Sequence, residues 1–243
     1  MIVVTEACTP EDTGKWEWCR VDELLNPPPD AAWNSLYNGL WITIQATVIG
    51  AIIAIVLGLI FAIMRRSSVR PVSWTATAIV EFIRSTPLLV QLFFLFFVIV
   101  PTLFTGMDVE TQAKVAGFTG LGLHYATYMS EVYRAGIDGV PKGQWEATTA
   151  LSLPRVRVWT SVILPQAIPR VLPALGNYVI AMFKEVPLLF TIGVTEMLFD
   201  AQSYGSSTFH YTEAITVVGV FFLVISIITA IPIRLLERRY GHL

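Results

Sequence analysis

The chain has 243 residues, 54% of them hydrophobic and 14% charged, with mean hydropathy +0.63 and a formal net charge of −2. So apolar a composition excludes an ordinary soluble domain and a disordered chain, while the length suffices for several membrane crossings. The small net charge conceals a strong asymmetry along the chain, and no nucleic-acid partner is expected.

Residues 1–35 read as an extracytoplasmic tail. The first 30 lack the basic start, apolar stretch and cleavage site of a signal peptide, so the tail is expected to be retained. Cys8 and Cys19, the only two cysteines, lie in it. In an oxidising compartment they can close a small loop or remain two thiols, and spacing does not decide between these.

From Ala31 to Met64 there is no charged residue, and the apolar core Leu40 to Met64 exceeds the roughly 20 residues that cross a bilayer. This is the first span, about 38–64, with Trp33 and Tyr37 as interfacial anchors. After Arg65, Arg66 and Arg70, the uncharged run Ser85 to Met107 predicts a second span over about 85–106. The run Val115 to Ser130 is shorter and lies between Lys114 and Glu131, so a third span over about 112–133 must carry polar residues into the protein interior. Val171 to Phe183 centres a fourth, about 166–186, broken by prolines, with the helix restarting at Pro173. Leu188 to Asp200 is expected to be a partly buried packing helix, with Glu196, Asp200 and Glu213 on a solvated outer rim. Ala214 to Ile233 gives the fifth span, about 213–234. Glu237-Arg238-Arg239 then holds its inner end at the headgroups.

Five spans place the termini on opposite sides. With the N-terminus outside and the C-terminus inside, the inner segments hold twelve Lys and Arg residues and the outer segments three, Lys15, Arg20 and Lys114. The loop 134–165 is then cytoplasmic. Within it, Gln144 to Leu151 are mostly good helix formers and Pro154 ends the run, which predicts a short surface helix. Glu146 is expected in its first turn, favoured by the helix dipole and exposed to a partner's arginine. A solvated surface helix is the alternative reading of these residues alone.

The loop resembles the EAA loop of ABC importer permeases. Glu146-Ala147 begins the pattern, Ser152 takes a glycine place, Val162 an isoleucine place, and Leu164-Pro165 close it; Thr148 for alanine is a second departure. Ser152 gives up the backbone freedom of glycine. The resemblance runs from about Gly39 to Arg239 and is to the polar-amino-acid branch. Glu81-Phe82-Ile83-Arg84-Ser85-Thr86-Pro87-Leu88-Leu89-Val90-Gln91, Tyr128-Met129-Ser130-Glu131-Val132-Tyr133-Arg134 and Val140-Pro141-Lys142-Gly143-Gln144-Trp145-Glu146 resemble three further signatures of that branch. The resemblance implies an all-α membrane protein with five transmembrane helices, a permease domain over 36–240 of the type I importer fold. It also implies a cytoplasmic coupling helix using Trp145, Glu146, Ala147, Ser152, Leu164 and Pro165. The implied partners are two ATPase subunits, a second permease subunit, identical or homologous, an extracytoplasmic solute-binding protein and membrane lipid. Glu196, Asp200 and Glu213 would be candidate contacts for the binding protein. The chain has no Gly-rich phosphate loop of its own, so ATP and Mg are expected on the partner, with no catalytic residue or cofactor here.

Ionisable groups inside spans are the candidates for the solute pathway. His124, Tyr128 and Glu131 fall at i, i+4 and i+7 on one helical face, where Glu131 can simply pair with Arg134. Lys184 and Glu185 lie near mid-membrane if the helix restarts at Pro173. The resemblance proposes His124 and Glu185 as solute-contacting, with Lys184, Gln91 and Tyr128 nearby. A carboxylate and a histidine suit a zwitterion or cation better than an anion. Lys184-Glu185-Val186-Pro187-Leu188 is similar to ectoine-importing members, which makes a compatible solute the rival of an ordinary amino acid. A secondary transporter is the rival of another class. His124, His210 and His242 are too scattered in sequence for a metal motif.

Overall fold

The computed structural model describes residues 18–29, 31 and 34–240. Cys8 and Trp33 lie outside the described residues. Among those described, the elements are all helical, with no strand. Helix α1 (Trp18–Leu25) precedes α2 (Leu36–Arg65), whose 30 residues extend about 45 Å. Ser35 links the two: its hydroxyl donates to the Leu25 carbonyl at 2.5 Å and accepts from the Tyr37 amide at 3.4 Å.

α2 is built with its small residues inside. Gly39, Thr43, Ala46, Gly50, Ala54, Gly58 and Ala62 recur every three or four positions and are buried, whereas Ile52, Val56, Ile60 and Ile63 are exposed. In lipid, large apolar groups gain nothing by pointing inward, and small ones let backbones approach. The partner is α6 (Val109–Asp138). A Cβ at Gly58 would stand 2.9 Å from the Ala126 carbonyl oxygen, and one at Gly122 2.6 Å from Ile53.

Between them the chain departs from expectation. The apolar run expected as a span over about 85–106 is helical over Leu88–Leu103. An amphipathic helix, α3 (Arg70–Arg84), buries Ala76, Val80 and Ile83 and meets the following helix at 105°. The break falls at Thr86-Pro87, where proline disfavours a helical residue before it. The apolar helix then runs as α4 (Leu88–Phe94), a π turn at Leu95–Ile99 and α5 (Val100–Leu103). α6 is longer than the expected 112–133. Asp108 caps it by accepting from the Thr111 amide at 2.9 Å. It packs against α2, α3, α4 and α9, and its His124, Thr127 and Ser130 are buried within the protein.

After α7 (Lys142–Ala150) and the single turn α8 (Arg155–Arg157), a π turn at Val158–Ile163 leads into α9 (Leu164–Glu185). The expected restart at Pro173 does not occur: Pro169 and Pro173 sit inside a continuous helix. Pro165, Pro169 and Pro173 are four residues apart, so their missing donors fall on one face. Lys184 is therefore about 30 Å along the helix from Leu164, not 16 Å from a new start. The expected packing helix 188–200 is also divided, into a 3-10 segment (Val186–Ile192), a left-handed turn at Gly193 with φ 83°, and α10 (Met197–Thr208). α11 (Tyr211–Tyr240) closes the chain. Leu36–Arg65, Arg155–Ile192 and Tyr211–Arg239 are long and apolar enough to cross a membrane, and the bent pair α3 to α5 makes a fourth candidate.

Candidate functional site

α6 carries His124, Tyr125 and Tyr128 toward α4 and α9. The His124 ring, 8% exposed, has its Nδ1 3.1 Å from Gln91 Oε1. The Gln91 amide nitrogen donates to the carbonyl oxygens of Ile83 and Thr86, at 2.7 and 3.0 Å, and contacts Thr86 Oγ1 at 2.8 Å. Carbonyls only accept, so these bonds fix the amide and require His124 to donate from Nδ1. The α3–α4 corner is thereby tied to the middle of α6.

Three tyrosines adjoin the histidine. Tyr128 lies 5.2 Å from the His124 ring, 6.2 Å from Tyr125 and 5.7 Å from Tyr178 of α9, with Tyr125 and Tyr178 6.1 Å apart. The Arg84 guanidinium sits over Tyr128 at 5.5 Å. The Tyr125 hydroxyl faces Glu185, whose Oε2 is buried without a hydrogen-bond partner. Lys184 is exposed. Of the residues expected from sequence, the structure brings together His124, Tyr128, Gln91 and, through Tyr125, Glu185. Sequence reasoning missed Tyr125, Tyr178 and Arg84, although Tyr178 stands two turns before Glu185 on one face of α9.

Beside this cluster Glu131 joins three helices. It receives Arg65 at 2.5 Å, Arg84 at 3.2 Å and Arg134 at 3.4 Å, so the expected pair with Arg134 is only one part. Glu81 adds contacts to Arg65 at 3.7 Å and Arg84 at 3.6 Å.

The expected acidic rim is not on the surface. Glu196, Asp200 and Glu213 are 0%, 1% and 5% exposed. Glu196 caps α10, accepting from Leu198 and Phe199 amides at 2.9 and 2.8 Å. Asp200 is packed against Gly39, and burial pushes both carboxyls up to about 7.

The loop helix α7 begins at Lys142, which puts Glu146 in its second turn and corrects the first-turn expectation. Glu146 and Ala147 are exposed, as are Ser152, Leu164 and Pro165. Trp145 is half-buried and anchors the helix, its ring edge-to-face with Trp159 at 5.6 Å above Val140, Ile163 and Ala167. Thr148, at an alanine place, is buried with its hydroxyl donating to the Trp145 carbonyl at 2.8 Å. Ser152, at the glycine place, has φ 49°. Its amide bonds to the Thr149 carbonyl at 3.0 Å and the Leu153 amide to the Thr148 carbonyl at 3.1 Å, a Schellman ending with serine in the left-handed position.

A family described as binding-protein-dependent transport system inner membrane component matches residues 54–242. The chain belongs to this family. This inner-membrane permease is 43% identical over 202 residues to the probable amino-acid ABC transporter permease protein y4tG of Sinorhizobium fredii (strain NBRC 101917 / NGR234), covering 83% of this chain and 85% of that one. It is 33% identical over 204 residues to the arginine transport system permease protein ArtQ of Bacillus subtilis (strain 168), covering 84% and 91%. Among solved structures, a chain of an amino acid ABC transporter crystallised with histidines superposes with a TM-score of 0.77 at 33% identity, over 84% of this chain and 93% of that one. The MetNI methionine ABC transporter in an inward-facing form shares the fold, with a TM-score of 0.65 at 18% identity. The permease is thus a multi-pass transport subunit, and its EAA-like segment begins on the exposed helix α7 and closes at Leu164-Pro165 at the start of α9.

Proposed function

We propose that this chain is the permease subunit of an ATP-driven importer of a polar amino acid or a related zwitterion. In this reading α2, the α3–α5 pair, α6, the α8–α9 run and α11 are five crossings, with the N-terminus outside and α7 in the cytoplasm. α7 seats in a cleft of a separate ATPase subunit, which binds ATP and Mg, and passes its closure to α6 and α9. Two ATPases, a second permease and an extracytoplasmic binding protein complete the assembly. Solute passes the cluster of His124, Tyr128, Gln91 and Glu185.

The observation that carries the reading is α7 itself. Its indole is fastened to the bundle while Glu146 and Ala147 remain exposed, leaving the motif face for a partner. A carboxylate so placed can pair with an arginine of the ATPase. The test is a mild-detergent pull-down from native membranes of wild type and Glu146→Arg, with co-purifying subunits identified by mass. An ATPase should accompany the wild type and be reduced at least tenfold by the substitution; an ATPase retained equally by both would remove α7 as the coupling element.

A further inference from the structure

α10 is set off from its neighbours by a left-handed residue on each side. Before it, the chain leaves the 3-10 segment through Gly193 at φ 83°, where a Cβ would meet nothing within 4 Å. After it, Phe209 takes φ 63°, a region that suits a bulky residue poorly, and no burial of its 84% exposed ring compensates. Between these joints the first turn of α10 is seated on the start of α2. The Met197 amide donates to the Thr43 hydroxyl at 3.3 Å, and a Cβ on Gly39 would stand 2.7 Å from Met197 Cα and 2.5 Å from Asp200 Oδ2. Asp200 therefore lies against the α2 backbone with both carboxyl oxygens buried and without a hydrogen-bond partner. We propose that α10 is a hinged lid on the outer end of the bundle, closed while Asp200 is protonated and released from α2 when Asp200 loses its proton. Its placement on the outer side rests on the permease reading above.

Asp200 is the group whose surroundings change most when the lid moves. Glu196 is as deeply buried, but the Leu198 and Phe199 amides that it accepts from belong to α10 and travel with it. The cover of Asp200 is α2, which stays behind. Of the other elements packed on α10, α2 has no charged residue before Arg65 and Val186–Ile192 has none. α11 presents Glu213, 4.0 Å from His210 in the α10–α11 connection, and α1 presents Arg20, Asp22 and Glu23. These have their own contacts: Arg20 meets Glu23 at 3.4 Å, the Tyr204 hydroxyl meets Glu23 at 3.3 Å, and Asn26 donates to Asp22 at 3.1 Å. A buried carboxyl without hydrogen bonds is stable as the neutral acid, and its ionisation favours any conformation that wets it. Burial pushes Asp200 up to about 7 from an ordinary 3.8. The seat is therefore firm below about pH 4, weakens as pH rises, and levels off above about 7.

Amide hydrogen exchange of the purified complex in nanodiscs, read by mass spectrometry and corrected for the intrinsic effect of pH, follows the lid. Wild-type peptides from Met197–Thr208 should open about tenfold or more between pH 5.5 and 7.5, while peptides from α6 stay within about twofold. Asp200→Asn, which cannot ionise, should keep α10 closed and reduce that change to within about twofold, whereas Glu196→Gln should retain most of it. Gly39→Ala, whose Cβ has no room beside Met197 and Asp200, should open α10 at both pH values, which provides a second route if Asp200→Asn fails to fold. An exchange rate of α10 that ignores pH in wild type, a full response in Asp200→Asn, or wild-type protection in Gly39→Ala overturns the proposal. ATP-dependent amino-acid uptake by proteoliposomes of the whole transporter separates the two readings. If uptake occurs and α10 shows no pH response, the lid falls and the permease reading stands. If α10 responds and no amino acid is taken up, the permease reading falls with the outer placement, and the proton-released hinge stands.

Discussion

Asp200 shows how far a single residue can depart from what its charge leads one to expect. It is 1% exposed, its oxygens have no well-formed hydrogen bond, and Glu196 lies within Coulombic range. Burial holds its carboxyl at about 7 from an ordinary 3.8. A raised pKa means that the folded state holds its proton while the unfolded state has released it, so stability is full below about 4 and is lost as pH rises toward 7. The purified complex should therefore melt a few degrees lower at pH 8 than at pH 5.5, by static light scattering or intrinsic fluorescence. Asp200→Asn, which cannot ionise, should melt higher than wild type at pH 8 and flatten that slope. A slope unchanged in Asp200→Asn would assign the pH dependence to other groups. The Glu196 caps to Leu198 and Phe199 oppose its own shift, so Glu196→Gln should flatten the slope less.

At the scale of elements, the end of α7 carries a local cost that the sequence alone exposes. Ser152 stands where the family pattern has glycine and takes φ 49°. A side chain in the left-handed region is disfavoured by about 1 kcal/mol relative to glycine, partly offset by glycine's greater freedom in the unfolded chain. Ser152→Gly should thus slow amide exchange in the last turn of α7 about threefold, read by mass spectrometry, with the two Schellman bonds intact. Faster exchange would show that the serine makes a compensating contact. The long apolar helices α2 and α11 were legible because uncharged runs exceed the bilayer thickness. α3 was not, because Arg70, Glu81 and Arg84 make it look like an inter-span loop, and only its Ala76, Val80, Ile83 periodicity marks it as a helix. The break expected at Pro173 is absent, since proline ends helices in water but is accommodated in spans packed against other helices. Within the site, His124 and Tyr128 were legible from i, i+4 spacing. Arg84 over Tyr128 and Gln91 on His124 depend on the 105° corner, which no local pattern specifies.

At the scale of the whole molecule, the two ends of the α2–α6 pair are fastened by different physics. At the start of α2, Leu24, Leu36, Met197, Ala201, Tyr204 and Ala214 from four helices form an apolar cluster. Arg20 and Tyr204 meet Glu23 at its edge, each near 3.3 to 3.4 Å. Cys19, on the same short helix, is disulfide-bonded, so thiol titration without reductant should find Cys19 unreactive. At the other end, α2, α3 and α6 converge on ionic contacts rather than on a core. Glu131 there is shared by Arg65, Arg84 and Arg134, whose Nε atoms are buried without further acceptors. Removing the hub leaves guanidinium charge with too few counter-ions, and the Arg65 side chain is only 7% exposed. Glu131→Gln should destabilise the purified complex by about 2 kcal/mol, below the range for a fully buried pair because the Glu131 side chain is 35% exposed. Glu81→Gln touches the same arginines at 3.6 and 3.7 Å from a side chain 53% exposed, and should cost under about 1 kcal/mol. Chemical or thermal denaturation of the two variants side by side reads the difference. Equal losses would mean that Glu131 is one surface charge among several. A larger loss for Glu131 would make it the charge that holds α2, α3 and α6 together at this end of the bundle.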